Sequence, residues 1–237
     1  YVDPGEPKVQ RWTDFSTWNE QTQQSIVASS TLHVLGGVPH SIRAYVPATV
    51  RPGEAFPILI RPEDEFGNLA HKAVRKITVS LNGDPLSAET ERVQGSTCLR
   101  ATTALDVEGV HRLTVHCGEM DLAAVSNPLV CSAEGRQAYW GMIHGHTEMS
   151  DGTGCIDRYF RQMRDETLLD FAASSDHDHP WETPDEYWRI ICEAVKRWNV
   201  PREFVTLLGY EWAEWRRNGD GDRNVYHLAD DPPMYRS

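Results

Sequence analysis

Tyr139-Trp140-Gly141-Met142-Ile143-His144-Gly145-His146-Thr147-Glu148-Met149-Ser150-Asp151-Gly152 is the stretch that decides how this chain is read. An apolar, aromatic run ends in two histidines separated by one residue. A strand through that run points His144 and His146 to the same face, because strand side chains alternate. Two imidazoles on one face, with the Asp151 carboxylate following, make half of a metal site. The pattern then returns. Leu168-Leu169-Asp170-Phe171-Ala172-Ala173 leads into Asp176-His177-Asp178-His179, and Phe204-Val205-Thr206-Leu207-Leu208-Gly209-Tyr210 leads into Glu211. Strands that each end in ligand-type residues place a metal centre at the carboxyl ends of a parallel sheet or barrel.

Between these runs the chain reads as helix. Asp157 to Glu166 predicts one surface helix and Thr183 to Trp198 a second, with Thr183 as N-cap and Pro184 in the first turn. Alternating strand and helix implies right-handed βα units and a parallel sheet. Upstream the texture differs. From His40 to Ser132 short strand-like runs are bounded by Pro52-Gly53, Phe66-Gly67-Asn68 and Asn82-Gly83, the last a strong hairpin signal. Leu113, Val115 and Cys117 alternate with Thr114 and His116, as a half-buried strand requires. The expected organisation is an irregular segment over 1–36, an Ig-like antiparallel β-sandwich over 37–133, a linker at Ser132–Arg136, and an α/β unit over 137–237.

The chain has 237 residues and a net charge of -12, which argues against unaided nucleic-acid binding and suits a site that collects cations. No apolar run approaches the roughly 20 residues that span a bilayer. Five cysteines without a C-x-x-C spacing favour free thiols over a structural zinc knot, with a Cys98–Cys117 pair as the open alternative. His179 shares a strand face with His177 and is a further candidate ligand. Asp222 can bind metal or accept a hydrogen bond. His227 reads as structural.

Taken in order, His144-x-His146 with Ser150-Asp151-Gly152, then Ser175-Asp176-His177-Asp178, then Gly209-Tyr210-Glu211 resemble the motifs of the polymerase-and-histidinol-phosphatase (PHP) superfamily. Tyr139-Trp140-Gly141 before the histidines and Arg223-Asn224-Val225-Tyr226 are similar to one branch in which a PHP-like domain follows a β-sandwich. The chain departs from that branch at Met142, where an aspartate is usual, and at Asp222, where a histidine is usual. The resemblance implies the first part of a distorted (β/α)7 barrel and two or three divalent ions, manganese, zinc or iron. It assigns His144, His146 and Asp151 as ligands of the first motif and His177 as ligand of the second. Asp176 would orient His177, Glu211 would bridge two metals, and Asp151 and His177 would share an ion distinct from that of His144 and His146. The implied activity is that of a metal-dependent hydrolase, a phosphoesterase acting on a phosphate ester or similar small anionic substrate, with Arg216 or Arg217 positioning the anion. The later histidine and Asp-x-His ligands of the family are absent. Further protein, a continuation or a second chain, is therefore expected to complete the barrel. The alternative reading is a catalytically degenerate or incomplete module acting in binding or assembly through the β-sandwich.

Overall fold

A computed structural model describes residues 17–19, 24–26, 35–134, 136–214, 221–229 and 231–236. The segment read as irregular contains a short antiparallel pair, β1 (Thr17–Asn19) with β2 (Gln24–Ile26). Trp12 and Phe15 lie outside the described residues.

Strands follow without an intervening helix: β3 (Ser41–Tyr45), β4 (Thr49–Val50), β5 (Ala55–Glu63), β6 (Ile77–Leu81), β7 (Asp84–Leu86), β8 (Glu89–Arg92), β9 (Leu99–Ala104), β10 (Gly109–His111), β11 (Leu113–Cys117), β12 (Leu122–Val125) and β13 (Leu129–Cys131). They build two antiparallel four-stranded sheets, ordered β3-β5-β9-β8 and β12-β11-β6-β7, beside a small β10-β13-β4 sheet. Ile42, Ile58 and Ile60 of one sheet pack with Val79, Leu113 and Val115 of the other in a common core. Leu113, Val115 and Cys117 face inward while Thr114 and His116 are half-buried on the other side of β11. The β6–β7 hairpin turns on Asn82 (φ 53°) and Gly83 (φ 91°), both left-handed as a tight primed turn requires. All five cysteines are free, and burial pushes the Cys98 thiol up to about 12. Cys117 sits in the sandwich core and Cys98 in a separate apolar cluster, so the Cys98–Cys117 pair is not made.

After the linker come β14 (Gly141–Met142), α1 (Ile156–Arg161), β15 (Phe171–Ala172), α2 (Asp185–Trp198), β16 (Val205–Thr206), β17 (Leu208–Trp212) and β18 (Arg223–His227). β14, β15 and β16 form a parallel sheet, and β17 and β18 an antiparallel ribbon. The first part of a (β/α)7 barrel is not formed. Among the described residues the chain is mostly β, with two short helices and parallel strands of two residues. After β17 it doubles back antiparallel instead of crossing over through a helix, so the barrel winding is not continued.

Two helix expectations change in detail. α1 runs into a π-helical turn at Gln162–Glu166, which carries Asp165 and Glu166 into the interior and not onto a solvated face. α2 starts at Asp185 with Pro184 at the N-cap, and the Thr183 hydroxyl donates instead to the Met149 carbonyl.

The inward turn joins the two halves. Glu166 accepts from Arg158 at 2.8 Å and from Arg61 of β5 at 3.1 Å, all three side chains being buried. Arg61 also meets Glu63 at 3.2 Å. Glu166→Ala should lower stability by about 3–5 kcal/mol, because it removes the carboxylate that Arg158 and Arg61 share in the interior. Calorimetric unfolding of the variant checks this; a loss below about 1 kcal/mol would refute a stabilising role.

A smaller device orders the loop after β5. The Asp64 carboxylate accepts from the backbone N–H of Gly37, Phe66 and Asn68, each at 2.9 Å. These bonds, with Gly37 the largest contributor, hold its pKa down at about 2 against an ordinary 3.8. A depressed carboxylate adds stability that is complete above its unfolded pKa and disappears as pH falls through the folded one. Acid titration of stability should therefore show a component between pH 3.8 and about 2 that Asp64→Asn removes.

Candidate metal centre

The backbone ladder aims three chain segments at one place. Beyond β14 and β15, Ala173 N–H donates to the Met142 carbonyl and Ser175 N–H to Gly145. Beyond β15, Glu211 N–H donates to Asp176 and Asp178 N–H to Glu211, in a parallel bridge of His177 with Glu211. His144, His146, His177 and Glu211 thus leave the same end of the sheet, past the carboxyl ends of β14 and β15 and at the end of β17.

Their donor atoms converge. Glu211 Oε2 lies 3.1 Å from His146 Nε2, 3.4 Å from His177 Nε2 and 3.7 Å from His144 Nε2. The Nε2 atoms of His144 and His146 are 3.3 Å apart. Donors held tetrahedrally at about 2.0–2.2 Å from one ion stand about 3.3–3.6 Å from each other. Within the group of His144, His146 and Glu211 the separations fall within a few tenths of an ångström of that, so this donor set fits a divalent cation. His144, His146 and Glu211 form one compact donor group, and His146, Asp151 and His177 a second that shares His146. Asp151 and His177 are therefore not a set separate from His146.

Outer partners fix the ring orientations. His177 Nδ1 donates to Glu182 Oε2 at 2.8 Å, which leaves Nε2 with its lone pair toward Glu211. Burial alone would lower the His177 pKa, but the Glu182 hydrogen bond and the charges of Asp151, Glu182 and Glu211 outweigh it and raise it. His146 Nδ1 lies 3.1 Å from Asp151 Oδ1. The Asn224 Nδ2 lies 2.8 Å from His144 Nδ1; with the amide turned so that its oxygen faces the ring, that oxygen accepts from the Nδ1 N–H and leaves the Nε2 lone pair free.

Several residues named from sequence stand elsewhere. Asp176 does not orient His177. It is fully buried and accepts from Thr147 N–H at 2.7 Å and Ser150 Oγ at 2.8 Å, which ties down the loop that follows His146. The orienting carboxylate is Glu182, which sequence reading missed. Its signal was a carboxylate five residues past His177, just before Thr183-Pro184. His179 is buried and stacked on Trp181 at 4.6 Å, outside both donor groups. Asp222 accepts from Glu214 N–H instead of joining them. His227 stacks on Tyr210, and burial lowers its pKa. Arg216 and Arg217 lie outside the described residues.

No family model matches the chain. It is 24% identical over 208 residues to an uncharacterized protein of Chlamydia pneumoniae, covering 84% of this chain and 33% of that one. A Chlamydia trachomatis protein is 27% identical over 203 residues, covering 82% and 32%. The chain thus spans about a third of the length of the curated relatives it matches. Among solved structures, the filamin domain of Lin-41 gives a TM-score of 0.32 at 10% identity, covering 40% of this chain and 97% of that domain. The CARDB domain of a Pyrococcus furiosus protein, solved with di-metal ions, gives 0.28 at 14% identity, covering 42% and 94%. S-layer protein SbsC domains 4 and 5 give 0.29 at 16% identity, covering 47% and 61%. With no matching family model and no barrel formed among the described residues, the PHP resemblance is corrected, and the hydrolase and phosphoesterase activities lose the support it gave them.

Metal titration followed by calorimetry should show one tight Zn²⁺ site that Glu211→Gln or His146→Ala eliminates. Glu182→Gln should weaken it by about 10–100-fold without removing it, as expected for a partner that orients a ligand. Unchanged affinity in the Glu182 variant would remove Glu182 from that role.

Proposed function

We propose that this chain is a metal-binding module that works in binding or assembly: a β-sandwich carrying a divalent-cation centre on a short parallel sheet docked against it. The observation that carries the reading is the convergence of three imidazole Nε2 atoms on Glu211 Oε2 within 3.7 Å. His144, His146 and Glu211, one compact donor group, would hold the ion and leave its fourth position open, with His177 beside Glu211. Imidazole nitrogens with one carboxylate suit Zn²⁺, though manganese and iron take related sets. The ion would supply a fixed positive charge and an open coordination position. That position faces outward on the His144 side, whose side chain is 49% exposed. An acidic group from a partner is the natural occupant.

Assembly has its own support. β14 pairs with β15 on one side and has no strand on the other among the described residues. The exposed residues there are Tyr139, Trp140, Met142 and Ile143, all of them apolar or aromatic. Unpaired strand edges of this kind invite further protein. A second reading, turnover of a small anionic molecule at the same ion, is favoured by the outward exposure of His144 and Asp151.

Zinc-loaded protein should bind tetraglutamate measurably by fluorescence anisotropy, and EDTA should abolish that binding. The peptide should be recovered intact at unchanged amount. No binding, or binding indifferent to EDTA, sinks the proposal, while consumption of a small anion by the loaded protein would select the second reading.

A further inference from the structure

A cleft of 860 Å³ opens between the sandwich and the parallel sheet. Its walls include Phe56 of β5, Arg100 of β9, and Tyr139, Leu168 and Phe171 from the other half. Tyr139 precedes β14 and Phe171 opens β15, whereas the candidate metal donors follow the far ends of those strands. The cleft and the metal centre therefore occupy opposite ends of the sheet. A volume of this size is in the range of small-molecule sites, about 300–1,000 Å³.

Arg100 is the unusual group. Its Nε is sealed from solvent and has no hydrogen-bond partner. Glu91 lies opposite on β8, yet no side chain among the described residues pairs with the Arg100 guanidinium. The other charges lining the cleft are engaged or at its rim. Arg164 is bound by Asp165 at 2.8 and 2.9 Å. Asp170 accepts from Trp140 N–H at 2.7 Å, and Glu54 from Arg51 N–H at 3.3 Å. Arg202 and Glu203 are exposed. Burial pushes the Asp170 carboxyl pKa up, against the hydrogen bond from Trp140 that lowers it. A partly desolvated cation without a counter-charge is costly, and an anion that enters with an apolar body relieves that cost while covering the aromatic wall.

We propose that this cleft binds a small organic anion, an aromatic or aliphatic body bearing a carboxylate, whose charge pairs with Arg100. The site is independent of the metal centre.

The test uses the whole chain after EDTA treatment, so that no metal competes for the carboxylate. The probes are 2-naphthoate and its neutral analogue 2-naphthalenemethanol, followed by isothermal titration. Naphthoate should bind one to one and about tenfold or more tighter than the alcohol, the margin expected of a hydrogen bond to a charged group. Arg100→Met should erase that preference, and Arg100→Lys should retain most of it. Tyr139→Ala, at an exposed wall position outside the core, should weaken both probes alike. Absence of naphthoate binding overturns the proposal. So does a preference for the anion that survives in a folded Arg100→Met protein. If Arg100→Met does not fold, the Tyr139→Ala result decides, and unchanged affinity there places the probe elsewhere.

Discussion

The Glu166 carboxylate between Arg158 and Arg61 is the interaction on which the arrangement of this molecule depends. Buried ion pairs are expensive, because each charge gives up its hydration. Here the cost is offset by multiplicity: Glu166 meets nitrogens of both arginines, and Arg61 is held in turn by Glu63. The π-helical turn is what brings Glu166 into reach. The following Leu168 takes a left-handed backbone (φ 52°) and packs into the cluster of Leu59, Leu69, Val93 and Cys98 behind β5. A charge array that demands defined partners, flanked by apolar packing, fixes how the parallel sheet sits on the sandwich. The cleft that Arg100 lines exists only because of that seating.

A second constraint is the ladder that carries the donors. In parallel pairing, a bridge between His177 and Glu211 puts their side chains on the same face. The Gly145–Ser175 hydrogen bond extends the same register to the first pair of histidines. Close approaches depend on missing side chains. A Cβ on Gly145 would come within 2.8 Å of the Tyr159 ring, and one on Gly209 within 2.6 Å of Tyr226. The Tyr226 hydroxyl then reaches the Ile143 carbonyl, and neighbouring Asn224 the His144 ring. The donor set is thus held by backbone register and outer partners, while the imidazoles keep an open side.

Periodicity revealed what depends on local pattern. Alternation in Leu113–Cys117 and the Asn82-Gly83 turn pointed to strands and a hairpin, and histidines at strand ends pointed to one shared location. What sequence did not reveal depends on distant partners. Whether the chain after Glu211 crosses over or doubles back is decided by β18 pairing with β17, and nothing in Glu211-Trp212-Ala213 announces it. The role of Asp176 was misread because its neighbours in space, Thr147 and Ser150, stand 29 and 26 residues away. Glu182 was missed because a turn, not a strand, returns it to His177. Glu166 read as one more charge on a solvated helix because its partner Arg61 lies 105 residues earlier.

The sharing of His146 limits how many ions the centre holds. A neutral imidazole has one lone pair and one N–H. When His146 Nε2 faces Glu211 and His144, its Nδ1 carries the proton, and the Asp151 oxygen at 3.1 Å accepts it. In that state Asp151 is the carboxylate behind a ligating histidine, an arrangement that raises ligand basicity and fixes the tautomer. For Asp151 and His177 to hold a second ion with His146, the same ring would have to give up its remaining proton. His146 is thus the residue that couples the two donor groups, and its single lone pair serves one of them at a time.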